Sequence, residues 1–199
     1  MSRVTTAAAI AVAMLAAACG GSTGPADRGV PLSALLVLPR LDVDSEPGNP
    51  VTLPYHNNAL NDFTIRHTDN ASTLFASLTF LAHSIVSVNN VVLADTSTVL
   101  IGVTLTSGLY MFTLAPPAMV FNIAGEPTVT VVYSKYGDLS VYSQSSKYAS
   151  AAAYEQALGL WRELSANHWV PGRNTGHIGV DTVASALESP GRYVIAAPK

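Results

Sequence analysis

The chain has 199 residues, 49% of them hydrophobic and 12% charged, with ten basic side chains against thirteen acidic ones and a formal charge of -3. It is too apolar for a disordered tail, so it folds, and its length suits one domain with an appendage. No basic cluster offers footing for phosphates, which excludes nucleic acid as a partner; a single cysteine excludes an internal disulfide, a thiolate zinc site and an iron–sulfur centre.

Arg3 precedes an uncharged run over residues 4–18 that closes in small residues, the layout of a cleaved secretory signal over 1–18. The run is rich in Ala and Thr and too poor in Leu, Ile and Phe for a membrane span of ~20 residues. Cys19 follows Leu15-Ala16-Ala17-Ala18 and leads into Gly20-Gly21-Ser22-Thr23-Gly24-Pro25. This segment resembles the lipobox of bacterial lipoproteins. The resemblance implies that the Cys19 thiol receives a diacylglyceryl group, that the preceding bond is cut, and that Cys19 becomes the lipidated first residue. The partner is then a membrane, reached through the lipid, since two acyl chains anchor stably where one binds marginally. Gly20, where lipoproteins kept in an inner membrane often carry Asp, implies the outer membrane if the source has two. Residues 19–29 read as a lipidated cysteine and flexible tether, and residues 30–199 as the globular domain.

Residues 32–38 form an apolar run between prolines, short enough for a buried strand, and 42–50 break it with loop chemistry. Phe63, Ile65 and His67 alternate with Asp62, Thr64, Arg66 and Thr68, the pattern of a half-exposed strand. Residues 72–88 carry two patterns. Leu74, Leu78, Leu81, Ile85 and Val88 fall at helical spacing and favour a helix, while the Thr, Ser, Val and Phe around them suit strands. From Val91 the pattern is mainly β, with strands expected at 91–93, 99–106, 109–114 and 128–133, and another at 139–142. The Ala-rich stretch 149–157 predicts a short helix, which the shared face of Tyr154, Leu158 and Trp161 could prolong. Gly172, Gly176 and Gly179 mark loops, and 192–196 a last strand. The expected fold is mainly β, a β-sandwich-like domain with one or two short helices.

From 99 to 199 the order of Tyr110-Met111-Phe112-Thr113-Leu114, Pro127-Thr128-Val129-Thr130-Val131, Trp161-Arg162-Glu163-Leu164 and Ser189-Pro190-Gly191-Arg192-Tyr193 is similar to that of ZU5-type β-sandwich modules. That resemblance implies a strand from Leu160-Trp161 onward and a structural, interactive role without catalytic residues.

Candidate chemistry is sparse. His56, His67, His83, His168 and His177 stand in no metal-binding or zinc-protease spacing, so each is expected on the surface or in packing. Asp42, Asp44 and Glu46 alternate like the start of a calcium loop, but Pro47 replaces the turn glycine and no distal Glu closes it, so a solvated linker is expected. The Gly-x-Ser-x-Gly elbow and glycine-rich phosphate loops are absent. Tyr133, Tyr136, Tyr142, Tyr148, Trp161 and Trp169 suit cross-strand packing or, alternatively, a platform for carbohydrate or a cell-wall polymer. The sequence therefore predicts a noncatalytic envelope lipoprotein in a structural, adhesion or assembly role, lipidated at Cys19, with no catalytic residue, metal or cofactor and with envelope proteins or glycans as further partners. A sugar-binding module on a Tyr/Trp face is the alternative, and an enzyme with a nonstandard site a third.

Overall fold

Alternation decides the architecture. In the stretch 98–105, Val99, Ile101, Val103 and Leu105 are buried while Thr98, Leu100 and Thr104 face solvent, as a strand with one face on a core requires. A computed structural model describes residues 29–42 and 44–199. The expected signal peptide over 1–18, Cys19 and the expected tether before Gly29 lie outside the described residues.

In chain order the strands are β1 (Leu35–Val37), β2 (Val51–His56), β3 (Asn61–Arg66), β4 (Leu74–Phe80), β5 (Ile85–Val88), β6 (Val91–Val92), β7 (Thr98–Leu105) and β8 (Met111–Ala115). There follow β9 (Met119–Phe121), β10 (Thr128–Val132), the helix α1 (Ala151–Gln156), β11 (Gly159–Ser165), β12 (His168–Pro171), β13 (Gly176–Gly179), β14 (Thr182–Ala186) and β15 (Gly191–Pro198). The fold is mainly β, as expected, and every strand pairing is antiparallel.

One sheet runs β12-β11-β15-β8-β7-β2, with β1 also pairing β15; a second runs β13-β14-β10-β4-β3; a third, smaller one runs β6-β5-β9. The first two face each other across one core. Leu53, Tyr55, Ile101, Phe112 and Leu114 come from the first sheet, and Ile65, Leu78, Phe80, Val129 and Val183 from the second. Strands before residue 99 are built into both: β2 pairs β7, and β4 pairs β10.

The central strand β15 is buried on both sides. Tyr193, Ile195 and Ala197 enter the main core, whereas Val194 and Ala196 join a second cluster with Leu35, Met111 and Trp169. Val30, Leu32 and Trp161 pack against that cluster, so the chain entering the domain covers the outer face of the first sheet. The β5–β6 hairpin turns on Asn89 and Asn90, at φ 51° and 63°, a two-residue turn of left-handed residues for which Asn is suited.

Several expectations need correction. Residues 72–88 are not a helix but β4 and β5, because Phe75, Ala76, Leu78 and Phe80 are buried between β10 and β3. The expected strand at 139–142 is a 3-10 helix, Leu139–Gln144, opened by Asp138, whose carboxylate accepts from the Ser140 amide. Gly176 and Gly179 bound β13 rather than a loop. The run 32–38 begins as a 3-10 turn (Leu32–Ala34) and becomes a strand only at β1. The helix near 149–157 and the strand after it are present as α1 and β11.

Candidate functional site

Cys19 lies outside the described residues, so its surroundings begin at Gly29. The Gly29 amide donates to the Nε2 of His168 at 3.1 Å, and the amide of Leu32 to the side-chain oxygen of Asn167 at 3.0 Å. Val30 and Trp169 exchange both backbone hydrogen bonds at 2.8 Å. The entering chain is thereby paired to the edge strand β12, which satisfies an otherwise open edge. A side chain at position 29 would meet the ring of His168, whose atoms lie 2.4 Å from where a Cβ would stand. Beneath this arm Trp169 is fully buried, with the Arg192 guanidinium 5.4 Å from its ring centre.

The densest chemistry lies at the opposite end of β1. Arg40, Asp42 and His67 are each at most 3% exposed. Asp42 divides its carboxylate between them, with Oδ1 3.1 Å from Arg40 Nε and Oδ2 3.0 Å from His67 Nδ1. Arg40 also reaches Glu46 at 3.0 Å, and Glu46 accepts from the Ser107 hydroxyl at 2.6 Å and the Gly108 amide at 3.2 Å. The Arg40 guanidinium lies 5.3 Å from the ring centre of Phe75, on which Tyr110 is stacked. His67 packs on Tyr136 at 4.3 Å between ring centres, and Tyr136 donates to Asp69, which also takes bonds from Lys135 and Thr73.

These contacts set the titration of the groups. The Ser107 hydroxyl, together with the Gly108 amide and Arg40, holds the Glu46 carboxyl below its ordinary range. Lys135 and Thr73 hold Asp69 far below its own. Burial pushes the Tyr110 phenol up and lowers the His67 imidazolium, in the second case against the pull of Asp42.

The expectation of a solvated linker at Asp42, Asp44 and Glu46 is corrected here: Asp44 is exposed, but Asp42 is buried and Glu46 half-buried. The Arg40 guanidinium as countercharge, and the ring of His67 from far along the chain as a polar partner, make that burial tolerable. Among the described residues no group of three or more His, Cys, Asp or Glu is placed to hold a metal ion.

A second polar cluster joins three elements. The Tyr133 hydroxyl lies 3.1 Å from Glu155 Oε1 and 3.4 Å from His177 Nδ1, and His177 Nε2 is 2.7 Å from the Glu155 carbonyl oxygen. Tyr133 is buried, and its phenol is raised in pKa by that burial and by Glu155, so the cluster ties β10 to α1 and β13.

No family model, curated protein or solved structure matches this chain. Of the aromatic residues singled out in the sequence, Tyr133, Tyr148 and Trp169 are buried, while the half-buried Tyr136, Tyr142 and Trp161 pack respectively on His67, on the main core and on the second cluster. The Trp161 indole donates to the Ala196 carbonyl at 3.0 Å, and Tyr148 donates to the carbonyl of Pro198. The space between the sheets at Ile65, Phe75, Leu78, Val103, Phe112 and Val129 is apolar and too narrow to admit a water molecule. His56 and His83 lie at the surface, beside Thr98 and Asp95.

The buried Arg40–Asp42–His67 cluster was not legible as a unit in the sequence because His67 comes from a different segment than Arg40 and Asp42. The alternation of β3 did carry one signal. It puts His67 on the inner face with Phe63 and Ile65, and an inward histidine needs a polar partner.

Proposed function

We propose that the protein is a noncatalytic lipoprotein of the cell envelope, held to a membrane through lipid on Cys19 and presenting its β domain in an adhesion or assembly role. The observation that carries this is the order along the chain. Arg3, an uncharged run, Leu15-Ala16-Ala17-Ala18-Cys19 and a Gly-, Ser- and Pro-containing spacer lead directly to Gly29, where the entering arm clips onto β12.

Two features of the domain support a contact-making role over chemistry. Its buried charges are engaged in pairs, as at Arg40, Asp42 and Glu46. Between Asp69 and Glu126 the sequence holds one charged residue, Asp95, and in that stretch Val91, Val92, Val120 and Ile123 are exposed.

The test is the Cys19→Ser variant, expressed in its own cells and fractionated. Wild type is expected with the membranes and the variant in the soluble fraction. A variant that still sediments with membranes contradicts the reading.

A further inference from the structure

We propose that the buried Arg40–Asp42–His67 cluster is an acid-sensitive latch, which closes one end of the sandwich while His67 is neutral and opens it when His67 takes up a proton. The latch joins both sheets. Arg40 and Asp42 follow β1 of the first sheet, His67 follows β3 of the second, and the 133–138 turn follows β10 of the second. Backbone bonds run through the same place: Leu41 donates to the Tyr136 carbonyl at 2.8 Å, Asp138 to that of Pro39 at 3.0 Å, and Thr68 to that of Ser45 at 3.1 Å.

The groups facing His67 decide the sign. From the segment after β1 come Asp42 and, through it, Arg40, with Glu46 on the far side of Arg40. From the turn after β3 comes Asp69, and from the turn after β10 come Tyr136 and, beyond it, Lys135. The strand β4 contributes Phe75 against its ring, and Tyr110, just before β8, brings its phenol near Arg40 and Asp42. Both carboxylates are already matched, Asp42 by Arg40 and Asp69 by Lys135. An imidazolium would enter a site closed to water, and its desolvation, with the nearby Arg40 charge, outweighs the pull of Asp42, of the Ser45 backbone and of Asp69.

The closed state therefore prefers neutral His67, while an open state, in which the ring meets water, takes the proton near the ordinary value. As pH falls below that value, opening gains population by up to about tenfold per pH unit for one proton. Opening frees the segments 39–42, 44–46, 67–73 and 133–138 and leaves β15 in place, because its pairings with β1, β8 and β11 lie outside those segments.

The experiment is NMR on the full-length protein, following the His67 ring and backbone amide exchange, corrected for intrinsic rates, from about pH 7.5 to about pH 5. The expected result is a His67 midpoint below that of an exposed histidine, with exchange in those segments rising in step and β15 still protected. A His67 that titrates at or above the ordinary value, or exchange there independent of pH, overturns the proposal. The His67→Gln variant should make exchange in those segments independent of pH over the same range. If it does not fold, the wild-type midpoint decides alone.

Discussion

The hydroxyl of Tyr154, on α1, donates to the carbonyl of Leu36 in β1 at 3.1 Å, across 118 residues of sequence. Tyr154 is fully buried, its ring meets Tyr148 edge-on at 5.5 Å, and burial raises its phenol well above the ordinary value. One short helix thus holds the first strand of the domain by a single polar contact inside the core.

Tyr154→Phe keeps the ring and removes the donor, so it should cost about 1 kcal/mol, while Tyr154→Ala also leaves a cavity and should cost about 3–5 kcal/mol. Urea unfolding checks both. A lower midpoint at unchanged slope is expected for Tyr154→Phe, and equal costs for the two variants would show that the hydroxyl does all the holding.

Asp42→Asn leaves Arg40 in a dry site with Glu46 alone as its anion. The expected loss is about 3 kcal/mol, within the range for breaking a buried ion pair. A cost below about 0.5 kcal/mol, the usual size at an exposed position, would mean the pair is not buried in solution.

How far these relationships were legible in the sequence depends on how local their causes are. The strands β3 and β7 announce themselves by alternation, and α1 by its alanines; the structure adds the Ser150 cap, whose hydroxyl accepts from the Ala153 amide. The β4 segment misled because Leu74 and Leu78 are spaced for either structure. Pairing with β10 and β3 decides it, and Leu81, counted as part of the helical face, is exposed in the turn after β4. The strand β2 carries Pro54, which it tolerates because it is the edge of its sheet. The Arg40–Asp42–His67 cluster was invisible for a different reason: alternating acids near a proline look the same whether a distant histidine comes to meet them or not.

Gly29 should tolerate no side chain while the arm stays docked, since a Cβ would collide with His168. Gly29→Val is expected to speed proteolysis or amide exchange around Val30 while changing global stability by less than about 1 kcal/mol, because the arm lies outside the main core. Unchanged exchange at Val30 would show that the His168 contact does not hold the arm.

Acid should weaken the fold through its carboxylates as well. Glu46 sits below its ordinary value when folded, so its contribution is present above the unfolded value and is lost as pH falls through the folded one. Glu46→Gln should therefore flatten the fall in stability from about pH 5 to about pH 3, measured by urea midpoints, and an unaltered slope would contradict the assignment.

The lipid proposed on Cys19 is what would make the molecule an envelope protein, and mass spectrometry of material purified from its own cells reads it directly. The account predicts a polypeptide whose first residue is Cys19, heavier than its sequence by a diacylglyceryl-type adduct. A chain that retains Met1 with an unmodified Cys19 would contradict it.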